Sequence, residues 1–233
     1  MNVMNAATQA PRRGRPPKAQ AQLTRSAIRE AALTVIDRDG IAGVSMRSVS
    51  RLLGVDAKSL YHHVADKDDL LDSVAEYLLG QLGTPEPTGD LRTDLTALAD
   101  EFRRATLTHP EAACLVLTRQ LSTLAGLKPV DAVLSVLRQA GAGPEHAVRL
   151  TRVLVAAVVG MLLREVSASP TFGSSDPGDI ARRQGELETS GLPAVAASAA
   201  HLARFDQDEE FASGVELLVD FVAFQLAATD ALT

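Results

Sequence analysis

The stretch 40–71, GIAGVSMRSVSRLLGVDAKSLYHHVADKDDLL, decides the fold of the N-terminal part of the chain. Four apolar residues in it recur at helical spacing: Met46, Val49, Leu52 and Leu53. Ser45 stands immediately before them, where its hydroxyl can accept from the free N–H groups that open a helix. Gly54 ends the run, because glycine tolerates the left-handed backbone of a helix C-cap. Asp56 follows as the cap of a second helix, so the pattern predicts a helix-turn-helix unit.

The second helix is predicted to run to about Val64, and it is rich in polar groups. Around one apolar residue, Leu60, it carries side chains that can donate hydrogen bonds: Lys58, Ser59, Tyr61, His62 and His63. This set suits a recognition helix, because lysine neutralises phosphate while hydroxyl and imidazole groups reach phosphate or base edges. Asp66 is placed to cap a further helix from Lys67, whose positive N-terminal end would also face phosphate.

The run LYHHV at 60–64, followed by Lys67 and by two leucines at 70–71, resembles the DNA-binding domain of the tetracycline-repressor (TetR) family of transcription factors. The resemblance covers about residues 23–82 and includes the turn glycine at position 54. It implies an all-α protein. The expected architecture is an N-terminal three-helix helix-turn-helix DNA-binding domain followed by a larger helical domain for ligand binding and dimerisation.

We therefore expect a set of operator contacts: Ser45, Arg47, Lys58, Ser59, Tyr61, His62 and Lys67. Tyr61 and Lys67 are expected to position the protein on the DNA backbone, whereas Arg47 and Lys58 are candidates for base readout. For Ser45 two roles stay open, namely capping of its own helix and binding of a phosphate.

The charge of the chain is divided between its two ends. Residues 1–67 hold eleven Lys or Arg against five Asp or Glu, whereas residues 68–233 hold twelve against twenty-four. A polyanion would be attracted to the N-terminal end and repelled by the rest, so nucleic acid would dock in one orientation. Alone, this asymmetry could be a chance feature of a solvated surface; beside a helix-turn-helix it favours double-stranded DNA as a partner.

Residues 1–22 lack apolar periodicity and are rich in Ala, Gln and Pro, which predicts a disordered basic arm. Four positive charges fall within seven residues of it, RRGRPPK at 12–18. Gly-Arg-Pro around Arg15 resembles the core of an AT-hook, whose extended arginine enters the narrow minor groove of A·T-rich DNA. A solubilising basic tail explains the same residues equally well. Either role would add salt-dependent affinity for DNA.

Glycine and proline divide the rest of the chain. A scaffold helix is predicted over residues 23–39, and a bridging helix over 67–82 that ends before TPEPTG at 84–89. We therefore expect a DNA-binding domain at 23–83 and an effector-binding and dimerisation domain at 84–233. Further helices are predicted at 90–108, 111–123, 129–140, 144–166, 192–203 and 208–228, with a loop or lid holding at most a short helix at 167–190.

Two of these helices are candidates for a subunit interface. Residues 153–163 are apolar nearly all round, and residues 211–226 present a wide apolar face. Two such helices from each protomer would form a four-helix bundle, and a palindromic operator requires a two-fold protein, so we favour a homodimer over a monomeric core. The eleven-residue run 153–163 is shorter than the roughly 20 residues a bilayer requires, so no membrane partner is expected.

Looser matches extend the resemblance to the C-terminal domain of the tetracycline repressors, from EFRR at 101–104 through His109, from LP at 192–193 through Phe205, and over 211–217. They put Phe102, Val116 and Gln120 at pocket positions, although each is also an ordinary core or boundary residue. The family's metal-binding histidine would fall at Val116, its drug-contacting asparagine at Leu98 and a drug-contacting histidine at Gly83. Ligands for a magnesium–tetracycline chelate are therefore not evident. We expect a different effector, and the apolar wall favours an uncharged or aromatic one.

No catalytic constellation is visible in the sequence. Among the five histidines only His62 and His63 are neighbours, and adjacent residues of a helix point about 100° apart, so the pair cannot share one helix face. HExxH, CxxC, GxSxG and phosphate-cradling glycine motifs are absent. We therefore expect no enzyme activity, no cofactor and no metal. Cys114 is expected to be a small buried hydrophobe, with a redox-sensing thiol as the alternative. His109 is expected to complete the C-terminal end of a helix.

The leading hypothesis is a cytoplasmic, nucleoid-associated homodimeric repressor, released from a palindromic operator by a small molecule. A related regulator could be an activator, or could lack a small-molecule signal. From a different class, the chain could be a helical carrier or scavenging module whose front is merely basic. Substituting Lys58 separates these classes, because only a regulator would lose DNA affinity.

Overall fold

The structure, a computed structural model, describes residues 23–119, 127–166 and 173–230. Within these residues it contains twelve α-helices and no β-strand, which confirms the expected all-α fold. The arm at residues 1–22, with Arg15, lies outside the described residues, and so does Gln120.

Four helices form the N-terminal unit: α1 (Arg25–Asp39), α2 (Met46–Leu53), α3 (Ala57–Leu60) and α4 (Lys67–Gly80). Each begins at a residue whose side chain accepts from a backbone N–H of the first turn, in order Thr24, Ser45, Asp56 and Asp66. Gly54 ends α2 with φ 67° and ψ 30°, the left-handed conformation that the turn requires. The predicted helix-turn-helix is therefore present.

The predicted second helix of this unit is shorter than expected. The α-helix ends at Leu60 rather than Val64, and residues 61–63 form a turn. The N–H groups of His62 and His63 donate to carbonyl oxygens three residues back, on Ser59 and Leu60, so the chain tightens instead of continuing the α-helix. Tyr61 and His62 consequently lie on the turn that follows α3.

A buried apolar cluster holds the N-terminal unit together. Ile28 and Ile36 of α1, Val49 of α2, Leu60 of α3 and Leu70 of α4 are all completely buried in it. The guanidinium of Arg29 lies 4.1 Å from the ring centroid of Tyr77, which adds a cation–π contact between α1 and α4. The short α3 is thus held by its one core residue and by the turns on either side of it.

Five helices surround the core of the C-terminal part: α5 (Leu91–Thr108), α6 (Pro110–Thr118), α7 (Lys128–Gln139), α8 (Pro144–Val166) and α12 (Gln207–Asp230). A second apolar cluster, which includes Leu137, Leu162 and Val222 at full burial, lies among them. The helix predicted at 111–123 ends at Thr118, because Arg119 adopts an extended backbone with φ −82° and ψ 135°.

Helix α6 contributes to both clusters. Ala112 and Leu115 are buried in the cluster of the N-terminal unit, whereas Ala113 and Leu117 are buried in the C-terminal cluster. The linker expected near residue 84 therefore divides the chain in sequence but does not separate the two cores. A displacement of α6 would therefore move side chains in both apolar clusters, because packed interiors transmit displacement.

Residues 167–190 do not form the predicted loop with at most a short helix. Residues 167–172 lie outside the described part, but α9 (Pro177–Glu188) is a full twelve-residue helix. None of its residues is buried, so no apolar period marks it in the sequence. Asp176 caps it and Arg182 pairs with Asp179 and Glu186 along one face.

The helix predicted at 192–203 is interrupted. It consists of α10 (Pro193–Ala197) and α11 (Ala199–Leu202), separated at Ser198, whose φ of −103° and ψ of 6° do not continue an α-helix. Both pieces pack against α9.

Helices α8 and α12 expose apolar side chains on the faces that point away from the core. On α8 these are Val148, Val153 and Val155; on α12 they are Leu217, Phe221 and Phe224. By length and composition alone, Pro144–Val166 and Gln207–Ala228 could each cross a membrane. This is not expected from the uncharged run at 153–163 alone, because that run is shorter than a membrane span. That test is weak for one or two helices, because the core helices of soluble proteins also pass it.

Candidate nucleic-acid interface and effector pocket

The residues predicted to contact DNA lie on or beside α2, α3 and the start of α4. Arg47, Lys58, Tyr61, His62 and Lys67 are exposed, and Ser59 is partly exposed. We call these six residues the reading surface. No hydrogen bond or ion pair of the Arg47, Lys58 or Lys67 side chains with another described residue is found, so their charges remain available to a polyanion.

Ser45 performs the first of its two expected roles. Its hydroxyl accepts from the N–H of Ser48 at 3.0 Å, while the Ser48 hydroxyl accepts from the N–H of Ser45 at 2.8 Å. This reciprocal capping box satisfies two of the free donors at the start of α2. Ser45 is also exposed, but its oxygen is already engaged.

Tyr61 and His62 owe their orientation to the tight turn after α3. Tyr61 exposes 54% of its surface, a large fraction for an aromatic side chain of a folded domain. The turn is anchored by Leu60, which is completely buried, and by Val64, which is 2% exposed. The buried Leu60 and Val64 thus fix the ends of the turn that carries the exposed Tyr61 and His62.

Arg25 fixes this turn to α1, and sequence reasoning missed it. Its guanidinium donates to the carbonyl of His63 at 3.3 Å and pairs with Asp69 at 2.5 Å. Asp69 also accepts from the N–H of Ala65, and these contacts, the Ala65 hydrogen bond first, hold the pKa of Asp69 below its ordinary value. The partners are 38 and 44 residues from Arg25, so no local pattern could reveal them.

A cavity of about 270 Å³ lies in the C-terminal part. Its walls come from the end of α4, from α5, α6, α7, α8 and α12, and most of its lining residues are apolar. They include Leu79, Leu95, Leu98, Phe102, Val116, Leu117, Val133, Leu154, Val158, Val215 and Val219. No described residue of 173–190, the expected cover, lines the cavity.

The family positions named from the sequence lie on this cavity. Phe102 and Val116 line it, as do Leu98 and Gly83, which occupy the places of drug-contacting asparagine and histidine. The cavity therefore includes these positions, and it carries aliphatic groups or glycine at those where the resemblance would place the ligating side chains of a tetracycline site. No cluster of three or more His, Cys, Asp or Glu suited to a metal ion occurs in the described part of the chain.

Three ionisable residues also line the cavity: Glu101, Arg119 and Lys128. The negative charge of Glu101 is balanced by its neighbours, because Glu101 pairs with Arg104 at 2.7 Å and accepts from the N–H of Gly83 at 2.7 Å. These hydrogen bonds, that of Arg104 first, hold the pKa of Glu101 below its ordinary value.

Arg119 lies where α6 ends and connects the cavity to α4. Its guanidinium pairs with Asp68 at 2.9 Å, donates to the Asp68 carbonyl at 3.1 Å and pairs with Asp72. Burial lowers the pKa of Arg119, but the hydrogen bonds to Asp72 and Asp68 more than offset this, so the pKa lies above its ordinary value. The sequence did not indicate this role, because the partners are 51 and 47 residues away.

A second polar link joins the α5–α6 corner to α1. His109 Nδ1 lies 3.0 Å from both carboxylate oxygens of Asp37. His109 is the residue at which α5 ends and α6 begins, so it does sit at a helix end as expected. Its imidazole, however, is directed at the N-terminal unit.

Arg103 forms a compact ion cluster at the far end of α5. It pairs with Glu165 of α8 at 2.7 Å and with Asp208 of α12 at 2.6 Å, and its guanidinium stacks 4.8 Å from the Phe211 ring centroid. The hydrogen bond to Glu165, followed by that to Asp208, raises the pKa of Arg103 despite its partial burial. This cluster ties together three helices that also line the cavity.

Cys114 is exposed, and the expectation that it would be a buried hydrophobe is wrong. The physical reason is the packing of α6, which buries Ala112, Ala113, Leu115 and Leu117 between two cores. Cys114 falls on the face that neither core covers.

Two family models match the chain and together span most of it. The first, described as "Bacterial regulatory proteins, tetR family", matches residues 28–74. The other, "Tetracyclin repressor-like, C-terminal domain", matches residues 84–225. The two matched regions correspond to the helix-turn-helix unit and to the cavity-bearing part.

Curated relatives agree with these matches. An HTH-type transcriptional regulator of Saccharopolyspora erythraea is 36% identical over 155 residues, covering 66% of this chain and 64% of that relative, slightly less than two thirds of its length. The tetracycline repressor protein class A from transposon 1721 of Escherichia coli is 30% identical over 202 residues, covering 83% of this chain and 87% of that protein.

A solved structure has the same fold. The Streptomyces coelicolor TetR family protein ActR in complex with actinorhodin superimposes with a TM-score of 0.78 at 25% sequence identity, covering 88% of this chain and 99% of that one.

Proposed function

Because this chain belongs to the tetracycline-repressor (TetR) family of transcriptional regulators, we propose that it is a homodimeric repressor whose operator affinity is controlled by a small apolar effector bound in the cavity. Members of this family are DNA-binding, ligand-responsive regulators. The observation that carries the proposal is that α6 is buried in the core behind the reading surface and also lines the cavity. Occupancy of the cavity can therefore bias the position of the reading surface.

In this proposal Lys67 and Tyr61 contact the DNA backbone, and Arg47 and Lys58 reach base edges in the major groove. Exposure of these side chains, and the absence of competing ion pairs of Arg47, Lys58 and Lys67 within the described residues, support the assignment. Ser59 and His62 complete the contact set. Arg15 of the N-terminal arm would add minor-groove or phosphate contacts, and this part of the proposal rests on sequence alone.

The proposed dimer uses α8 and α12 from each protomer as a four-helix bundle. Leu217 is 70% exposed and Phe224 is 68% exposed, while Val215, Val219 and Val222 on the opposite face of α12 are buried. Apolar faces of this size are rarely left in water by a monomer. A two-fold dimer would also present two reading surfaces to a palindromic duplex operator.

The proposed switch is a shift in the population of two conformations. Operator binding requires the two reading surfaces to match successive major grooves, about 34 Å apart. An effector that binds better to a conformation with a different spacing would lower operator affinity by its difference in affinity for the two states. The apolar lining, with Val116 and Leu98 in place of ligating side chains, supports an effector other than a magnesium–tetracycline chelate.

DNA binding can be tested by fluorescence anisotropy at several salt concentrations, with duplex DNA from upstream of the protein's own gene. Wild type should bind tightly and with strong salt dependence, and a variant combining Lys58→Ala with Tyr61→Ala should bind weakly. The single change Lys58→Ala should reduce the slope of log affinity against log salt by about one. Arg182→Ala on the exposed α9 is the matched control and should bind as wild type does.

A helical carrier is the alternative function. It predicts that wild type, the Lys58 and Tyr61 double variant and the Arg182 control bind DNA equally weakly while all three retain an apolar ligand. Equal weak binding to the upstream fragment and to random duplex DNA, together with no enrichment of any fragment of genomic DNA, would exclude the regulator.

A further inference from the structure

The cavity contains two cationic residues among its otherwise mostly apolar lining. Glu101, the only acidic residue that lines it among the described residues, is already paired with Arg104 and with the N–H of Gly83. Lys128, in the first turn of α7, forms no ion pair with another described residue. Arg119 is the second cation, and its partners are not part of the cavity wall.

The partners of Arg119 belong to α4, the helix that begins directly after the reading surface. Asp68 and Asp72 lie in its first two turns, and the Arg119 guanidinium contacts both carboxylates as well as the carbonyl of Asp68. The Arg119 side chain is 23% exposed, whereas Asp68 and Asp72 are 83% and 51% exposed. Arg119 therefore lines the cavity and, through its guanidinium, holds α4, and its two acidic partners can return to water at low cost when the guanidinium leaves.

We infer that the effector is an apolar molecule with an anionic group, that this group binds Arg119 and Lys128, and that it draws Arg119 away from Asp68 and Asp72. Loss of these ion pairs frees α4 to move and so weakens operator binding. The inference rests on the proposed function, because it assigns the chemistry of that effector and the residue through which it acts.

Charge compensation favours an anion over the uncharged effector that composition predicted. Lys128 is exposed and has no ion-pair partner among the described residues, so an anionic ligand would gain its attraction, whereas an uncharged ligand would gain nothing from its charge. A carboxylate or sulfonate would instead gain charge-assisted hydrogen bonds from both cations in a weakly polar surrounding. A cationic ligand would be repelled by Lys128.

The effector chemistry can be tested with two fluorescent probes that share an anilinonaphthalene body. One is 1-anilinonaphthalene-8-sulfonate, which is anionic, and the other is N-phenyl-1-naphthylamine, which lacks the sulfonate. Wild type should bind the sulfonate more tightly by about tenfold, the factor expected for a hydrogen bond between charged groups. Lys128→Gln should remove most of this preference and leave the affinity for the uncharged probe unchanged, whereas the charge-matched Arg182→Gln should alter neither.

The coupling can be tested with Asp68→Asn combined with Asp72→Asn, which frees Arg119 without altering the cavity wall. Because coupling between two sites is reciprocal, this variant should bind the sulfonate about fivefold more tightly than wild type and bind operator DNA more weakly. The sulfonate should lower operator affinity less in this variant than in wild type. Glu76→Gln, a neutralised carboxylate elsewhere on α4, is the control and should leave probe affinity unchanged.

The outcomes separate this inference from the proposed function. If wild type binds operator DNA but takes both probes equally and Lys128→Gln changes nothing, the anionic effector is excluded while the regulator stands. If the double Asn variant, folded by circular dichroism, binds the sulfonate as wild type does, Arg119 is not shared between the two sites. If the sulfonate preference is found but no duplex DNA is bound, the coupling fails together with the proposed function.

Discussion

The helix-turn-helix unit and the cavity differ in the range of the contacts that define them. In the first, side chains cap backbone groups two or three residues away, as Thr24, Ser45 and Asp56 do. Around the second, Arg119 reaches across 51 residues to Asp68 and Arg103 across 62 residues to Glu165. The caps and the turn of the helix-turn-helix unit are set mainly by local contacts, with Arg25 as a long-range exception, whereas the cavity depends on how distant helices meet.

The largest effect is expected at the proposed dimer interface of the C-terminal part. Leu217→Glu combined with Phe224→Glu places charge on the exposed apolar face of α12 and should convert the protein to a monomer. Operator affinity should fall by roughly 100-fold or more, because each reading surface then binds alone. Analytical ultracentrifugation and anisotropy measure both effects. Leu192→Glu, at a residue that is 58% exposed but outside α8 and α12, is the control. A variant that remained dimeric would contradict the proposed interface.

The long-range ion cluster should matter more than a local surface pair. Glu165→Gln removes the principal partner of the partly buried Arg103 and should lower the free energy of unfolding by about 2 kcal/mol. Glu145→Gln removes the exposed partner of Arg149 one turn away and should cost less than about 0.5 kcal/mol. Urea denaturation of both variants measures the difference. Equal costs would mean that the cluster does not hold α5, α8 and α12 together.

The dependence of the helix-turn-helix unit on local backbone conformation can be tested at two glycines. Gly54→Ala forces an L-residue to φ 67° at the turn and should destabilise the N-terminal unit by roughly 1 to 2 kcal/mol. Gly80→Ala, at the last residue of α4 with no atom near an added Cβ, should be neutral or slightly stabilising. Thermal unfolding followed by circular dichroism compares them. Similar melting temperatures for the two variants would show that the turn does not depend on its backbone conformation.

The smallest effect concerns acid stability. The pKa of Asp69 is lowered in the folded state, so its contribution to stability is present above its unfolded pKa and is lost as the pH falls through its folded pKa. Asp69→Asn should therefore lower the free energy of unfolding at neutral pH by less than about 1 kcal/mol and make it less dependent on pH below 5. Urea titrations between pH 3 and 7 supply the test, and parallel curves for wild type and variant would refute it.

Sequence reasoning succeeded where the deciding contact is local. Ser45 and Gly54 identify the helix-turn-helix because capping and the left-handed turn each depend on a few consecutive residues. The end of α3 at Leu60 was missed, because the choice between an α-helix and a tighter turn depends on the packing of Leu60 and Val64. Helix α9 was missed because it buries nothing, and pairs such as Arg182 with Glu186 replace an apolar period.

The pocket was predictable only in part, for the same reason. Family resemblance named Phe102 and Val116, and both line the cavity. Lys128, Arg119 and the contact of His109 with Asp37 could not be found, because each depends on which distant helix lies alongside. Cys114 was wrongly expected to be buried, because the sequence of α6 does not tell which face is left between two cores.

Sequencing of the duplex DNA that the full chain retains from fragmented genomic DNA tests the central claim most directly. Wild type should enrich fragments that carry an inverted repeat with half-sites about one helical turn, roughly 10 base pairs, apart, and the Lys58 and Tyr61 double variant should lose that enrichment. If wild type and this variant retain the same fragments with no shared repeat, the chain does not act as a homodimeric operator-binding regulator.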